Sequence, residues 1–270
     1  MTRLMPRATA TRTQGLAPWR WAAAGSVLGL IFGIGIFAPA SWLAATVGQA
    51  SGYRVGLSGA RGTVWQGSSA LELSGGAGSG QAVALPGQIH WQIRPAWNGF
   101  KVAISADCCT RLPLQIHVLP IGWGGFRLVI ENGQSQWPAG LLAGLGTPWN
   151  TVQPQGQLTA STQGVAMEWA QGKFQLSGSI QVDAMQVSSR LSTLSPMGSY
   201  RVSLLGGTQP TLQLTTLDGS LQLDGQGQWL GQRLRFSGVA SAAPERVEAL
   251  SNLLNIVGRR DGARSIITVG

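Results

Sequence analysis

Residues Ser220 to Gly238 read SLQLDGQGQWLGQRLRFSG, and the alternation in this stretch constrains the fold more than any other feature of the chain. Leu221, Leu223 and Trp229 fall on odd positions, while Gln222, Asp224, Gln226 and Gln228 fall on even ones. Successive side chains of a strand point to opposite faces, so this pattern describes a sheet with one apolar face and one wet face. Gly231-Gln232 breaks the run, and Arg233, Leu234, Arg235 and Phe236 then alternate again. The segment therefore predicts a two-stranded hairpin.

Most of the chain is written in the same way. Alternating or apolar runs occur near Tyr53–Ser58, Thr63–Trp65, Ser69–Leu73, Gln88–Arg94, Phe100–Ser105, Leu114–Leu119 and Gly125–Glu131. A second group follows near Gln155–Ser161, Val165–Ala170, Phe174–Val187, Tyr200–Leu205, Pro210–Thr215, Ser220–Leu230 and Arg233–Ala240. The connections are short and rich in Gly, Asn, Asp and Pro, which suits antiparallel neighbours rather than parallel crossovers. Two segments depart from the pattern. Trp137 to Gly146 predicts a short helical turn between the groups. APERVEALSNLLNIVG predicts a helix, with Pro244 in its first turn, Glu245 and Glu248 at its positive end, and Gly258 ending it. Its apolar stripe is Val247, Leu250, Leu254 and Val257, which should dock on the sheet or cap one end of it. The shared tripeptides Tyr53-Arg54-Val55 and Tyr200-Arg201-Val202 are too short to indicate a duplication, so the strands are assigned to one domain.

So many one-sided strands pose a geometric problem, because a large sheet twists and its apolar face must be covered. A sandwich, a closed barrel and a sheet curled on itself all solve it. The expected fold class is mainly β: a single N-terminal transmembrane helix, a large, strongly curled antiparallel β-sheet domain, and one short C-terminal amphipathic helix. Curling would leave an apolar concave groove, with Gly225 and Gly227 marking places where a strand can bend.

The stretch WRWAAAGSVLGLIFGIGIFAPASWLAA supplies the anchor. Trp21 to Leu43 is 23 residues without a charge, enough at ~1.5 Å per residue to cover a ~30 Å hydrocarbon core. Trp19, Trp21 and Trp42 mark its ends, where indoles favour the interface. Arg3, Arg7, Arg12 and Arg20 precede the run and hold the N-terminus in the cytoplasm by the positive-inside rule. The expected organisation is a basic cytoplasmic tail over 1–20, a membrane anchor over 21–43 and an exported β-domain over 46–270. Ala38-Pro39-Ala40 also has the form of a signal-peptide cleavage site, but the apolar run continues past it into Trp42 and Leu43 and favours an uncleaved anchor. Gly25, Gly29 and Gly33 recur every four residues and offer a face for close packing against another membrane helix.

Chemistry is hard to find. The formal charge of +9 comes from 19 basic and 10 acidic residues; the four leading arginines supply +4 of it, and the rest is spread thinly. Without a stripe of Lys and Arg interleaved with aromatics, no nucleic acid partner is expected. His90 shares its strand face with Gln88, Gln92 and Arg94 and reads as solvated, and His117 lies on another strand, so no metal ligand set forms. GGAGSGQ at Gly75–Gln81 is a glycine-rich loop with no helix behind it to bind phosphate. Neither a Gly-x-Ser-x-Gly elbow nor a carboxylate pair is evident, so neither catalysis nor a cofactor is expected. Cys108-Cys109 is unusual. Adjacent Cα atoms lie ~3.8 Å apart, below the usual ~4.4–6.8 Å of a disulfide; a vicinal bond in a tight turn, two free thiols and one intermolecular bridge all stay open.

The segments GSYRVSLLGG, TTLDGSLQLDGQGQWLGQRLRFSGVASAAPERVEALSNLLNIVGRRDGARSIITVG, GTVWQGSS and LGTPWNTVQPQGQLT, behind an Arg-led anchor, resemble protein N of the bacterial type II secretion system. The resemblance spans roughly Trp19 to Gly270, and its C-terminal block is the specific part. It implies a single-pass inner-membrane protein with a periplasmic β-domain, accessory to a machine that moves folded proteins across the outer membrane. Its implied partners are inner-membrane and periplasmic subunits of that machine and the membrane lipid bilayer. A more distant likeness to lipid-handling proteins with curled sheets gives the alternative, a carrier or bridge for apolar cargo. The family contributes no catalytic residues.

Overall fold

The computed structural model describes residues 18–122, 124–231 and 233–270. Arg3, Arg7 and Arg12 of the basic tail, and Gln232 of the expected hairpin turn, lie outside the described residues. The chain divides into two units, Met1–Ala38 and Pro39–Gly270.

In the first unit, α1 spans Pro18–Phe37, and its 19 residues from Trp19 to Phe37 are long and apolar enough to cross a membrane. The apolar stretch 21–43 is not one helix. Pro39 has no N–H to donate and steers Ala38 away from the helical region, so α1 ends there. A second helix, α2 (Ala40–Ala50), begins the other unit with Ala40 and Gly48 buried.

The strands are β1 (Val55–Gly62), β2 (Gln66–Ser74), β3 (Ala82–Ala84), β4 (Ile89–Ala96), β5 (Gly99–Ala106), β6 (Leu114–Ile121), β7 (Gly125–Ile130) and β8 (Gly133–Pro138). After a 3-10 turn at Ala139–Leu145 and α3 (Trp149–Val152) come β9 (Pro154–Ala170), β10 (Lys173–Ser189), β11 (Gly198–Gly207), β12 (Thr211–Gly219), β13 (Leu221–Leu230) and β14 (Arg233–Ala242). A 3-10 turn at Pro244–Arg246 leads into α4 (Val247–Val257), β15 (Arg259–Asp261) and β16 (Arg264–Val269). All sixteen strands join one antiparallel sheet in the order β1-β2-β4-β5-β6-β7-β9-β10-β11-β12-β13-β14-β16-β15, with β3 on β2 and β8 on β9. The order is nearly that of the sequence, as short turns between neighbours require.

Two strands are interrupted rather than separate. β7 and β8 pair with β9 in one continuing register, from Phe126 opposite Trp169 to Gly133 opposite Thr162. Conversely, Gln155–Ser161 and Val165–Ala170, read as two runs, are one 17-residue strand, β9. A bulge where Gly178 meets Gly164, both at positive φ, lets it continue against β10.

The opening hairpin has its expected register, with Leu221 opposite Ala242 and Leu230 opposite Arg233. Gln222, Asp224, Gln226 and Gln228 are exposed, Leu221 is buried, and Leu223 and Trp229 are half-buried. Gly225 and Gly227 have a different purpose from the bends expected of them. A Cβ at Gly225 would strike Cζ of Phe236, so the glycines make room for that ring to lie across the strand.

The sheet is open and is not strongly curled, which corrects the expected concave groove. Its apolar face is covered in patches from outside, so it need not fold on itself. Over the C-terminal strands, Leu250, Leu253 and Leu254 of α4 pack with Met197, Tyr200, Leu221 and Ala240. Leu253 lay outside the expected stripe, yet only 2% of it is exposed. Over the N-terminal strands, Leu85 and Leu141 pack with Ala106 and Cys109. Burial pushes the Tyr200 phenol above its ordinary pKa, and its hydroxyl donates to the Leu221 carbonyl at 3.1 Å.

Candidate functional site

Among the described residues, four pairs of charged or titratable groups lie on the wet face, two of them across paired strands and two between a strand histidine and an acid just past the end of a neighbouring strand. His90 Nε2 lies 3.1 Å from Asp107 Oδ1, and the Gln88 backbone N–H donates to Asp107 Oδ2 at 3.0 Å. That backbone hydrogen bond, with help from His90, holds the Asp107 carboxyl below its ordinary pKa. His117 Nε2 lies 2.8 Å from Glu131 Oε1. Arg127 faces Glu168 across the β7–β9 ladder at 2.6 Å, and Arg201 grips both oxygens of Asp183 across β10–β11 at 2.7 and 2.8 Å. The Arg201 guanidinium, donating to both oxygens, keeps the Asp183 carboxyl below its usual range.

These pairs were not legible in the sequence, because each partner sits 14 to 41 residues away. Ser68 and Ser105 lie directly across the ladder on either side of His90, without a hydrogen bond to its ring, and no group of three or more His, Cys, Asp and Glu comes together among the described residues.

Cys108 and Cys109 are bonded to each other in the turn between β5 and β6. Cys109 is buried in the N-terminal core while Cys108 is exposed, and the Gln136 N–H donates to the Cys109 carbonyl at 2.8 Å. A hollow of about 210 Å³ lies beside the pair, lined by Asp107, Thr110, Arg111, Gln134 and Ser135. A second, of about 490 Å³, lies beside Arg61, Gly67, His90, Trp91 and Ser105. Gly25, Gly29 and Gly33 lie along α1 with open space beside each α-carbon.

The largest feature is the apolar face between the two cores. Val102, Ile116, Val118, Leu128, Met167, Val182, Val202 and Leu204 stand on it half-buried. Phe126, Trp169 and Phe174 are direct cross-strand neighbours on β7, β9 and β10, and they are 44%, 40% and 54% exposed. An exposed apolar area of this kind is a surface suited to contact with an apolar partner.

The class defined by these features is a protein with one N-terminal apolar helix and a single large antiparallel sheet whose apolar face is covered only in part. The family model of type II secretion system protein N matches residues 53–267, and the chain belongs to that family. Membership makes it a structural component of the secretion system, with partners within that machine. No curated protein and no solved structure matches the chain significantly. The apolar helix is consistent with a single membrane span or a signal sequence.

Proposed function

We propose that the chain is a non-catalytic accessory component of the inner-membrane part of the type II secretion machine, contributing to export of folded proteins across the outer membrane. The basic tail over 1–20 lies in the cytoplasm, the uncleaved span lies within 21–43, and the domain over 46–270 stands in the periplasm. The observation that carries this reading is a family-matched sheet unit joined directly to an apolar helix none of which is buried in the protein. The leading arginines support the orientation. A closed Cys108–Cys109 pair suits an oxidising compartment. The domain offers its sheet surfaces to inner-membrane and periplasmic subunits, and the glycine face of α1 offers a close approach to another membrane helix.

The test is gentle detergent extraction of the tagged full chain, followed by native mass spectrometry and a secretion assay on a strain lacking it. Secretion subunits should co-purify, and the strain should export less. Recovery of the chain alone, with unimpaired export, refutes the reading. A soluble mature form beginning near Ser41 would remove the anchor and leave only export standing. The second reading, a carrier or bridge for lipid or other apolar cargo, is favoured by the half-buried face between the cores. It predicts phospholipid retained on the extracted protein beyond what α1 alone holds.

A further inference from the structure

We propose that one rim of the sheet docks on the anionic phospholipid surface of the membrane that α1 crosses. The two rims differ in kind. One is capped by the 3-10 turn at 139–145, α3, the segment 190–197 and α4. Among the described residues the other is formed by short turns alone: β1–β2, β4–β5, β6–β7, β9–β10, β11–β12 and β13–β14. Strand register brings these turns to one edge, with Ile93 N–H donating to the Trp65 carbonyl, Phe100 opposite Val118, Pro120 opposite Phe126 and Phe174 opposite Trp169.

Four of these turns repeat one composition. They read WNGFK from Trp97, WGGFR from Trp123, WAQGKF from Trp169 and WLGQRLRF from Trp229, each with a Trp, a turn glycine, a Phe and a cation. Trp123 lies outside the described residues. Trp97 stands fully exposed at its tip, and Phe100, Phe126, Trp169 and Phe174 are all at least 40% exposed behind it. Such rings are costly to leave in water, and the interfacial zone of a bilayer is where indoles and phenyl rings with adjacent cations settle.

Charge points the same way. Arg61, Arg94, Lys101, Arg127, Lys173, Arg233 and Arg235 lie at this rim, and Glu168, already paired with Arg127, is its one acidic side chain among the described residues. Arg94 and Lys101 face each other directly across β4 and β5. Like charges opposite one another on a ladder repel, and no salt bridge involves either among the described residues, so an anion from outside completes the pair.

Connectivity fixes which surface is meant. Pro39 pairs with Thr63 in the β1–β2 turn, so the chain is pinned to this rim two residues after α1 ends at Phe37. Two residues reach at most about 7 Å. The chain therefore enters the sheet unit at this rim, and not at the capped one.

The inference rests on α1 being retained as a membrane span, which the intact mass of the purified chain tests separately. The full chain is reconstituted into nanodiscs after Asn98→Cys, and separately Thr193→Cys on the capped rim, is labelled with an environment-sensitive fluorophore under non-reducing conditions. With acyl-brominated phosphatidylglycerol in the disc, the probe at 98 should lose most of its emission and the probe at 193 almost none. Quenching at 98 should weaken severalfold in discs of brominated phosphatidylcholine alone, and also when R94Q and K101Q are combined in phosphatidylglycerol discs. Both substitutions are at exposed positions and leave the core intact. W97A with F100A should abolish quenching in either lipid. No quenching at 98, equal quenching at 193, or quenching indifferent to lipid charge overturns the proposal. So does a blue shift at 98 in inner-membrane vesicles together with no bromine quenching in the discs, which would place a protein partner on this rim.

Discussion

Replacing Leu254 with alanine isolates what α4 contributes to the sheet unit. Leu254 is completely buried, in contact with a core that includes Leu250, Leu253, Tyr200, Leu221 and Ala240. Truncation removes three carbons, worth about 2.4 kcal/mol at ~0.8 kcal/mol per buried methylene. The neighbours come from α4, β11, β13 and β14 and are tied by ladder hydrogen bonds, so they close the cavity only in part. The unrelaxed void raises the expected cost to roughly 3–5 kcal/mol. For a unit of this size each kcal/mol lowers Tm by about 2–4 °C, so a fall of roughly 6–20 °C is expected. Thermal unfolding of the full chain in detergent, followed by tryptophan fluorescence, measures it. Ile256, two residues on and 42% exposed, is the internal control, and its alanine variant should cost no more than about 1 kcal/mol. Equal shifts for the two variants, or a larger one at Ile256, would mean that α4 does not seat on the sheet through its Leu250–Leu254 side.

Trp229→Ala should destabilise by only about 1–2 kcal/mol, since the ring is half-buried beside the turn, and Gln228→Ala should stay within about 0.5 kcal/mol; reversed costs in chemical denaturation would put the β13 register in error. The folded Asp183 carboxyl has its pKa depressed by Arg201, so its contribution is full above about pH 4 and is lost as pH falls through the folded value. An Asp183→Asn variant should therefore show a flatter acid limb of Tm against pH than the parent, and identical limbs would remove this ion pair from the account. Gly29→Leu should reduce co-purification of a partner membrane helix while Leu30→Ala leaves it unchanged; equal recovery removes the packing role. Mass spectrometry after alkylation of the unreduced chain should find no modified cysteine, and two after reduction; two modified residues at the outset would show free thiols.

Strand positions were legible wherever alternation ran for five or more residues, as in β4, β5, β6, β13 and β14. They were not legible in β3 and β15, each only three residues long, where local pattern carries no period and pairing alone makes the strand. β16 was missed for a different reason: Ile266 and Ile267 are consecutive, and it becomes a strand because β14 offers an edge from Phe236 to Ser241. The vicinal cysteines were visible as a pair, but three states fitted them until the β5–β6 turn placed one inside a core and the other in water. The rim of aromatic and basic turns was present in the sequence as four similar pentads and longer segments. Its meaning depended on register, which alone shows that turns as far apart in the chain as Thr63 and Gly231 lie along one edge.

The sequence by itself determined that this chain builds an antiparallel sheet with one apolar face, and which side chains point to that face. It could do so because the strand period is local: parity within a run sets the direction of every side chain without reference to the rest of the chain. The tertiary structure alone decided what covers the face. Whether a wide sheet curls, closes or stays open depends on what can be laid over it, and here α4, the 139–145 turn and Leu85 cover two separate areas and leave the middle half-buried. Those contacts join residues far apart in the chain, and no local period encodes them.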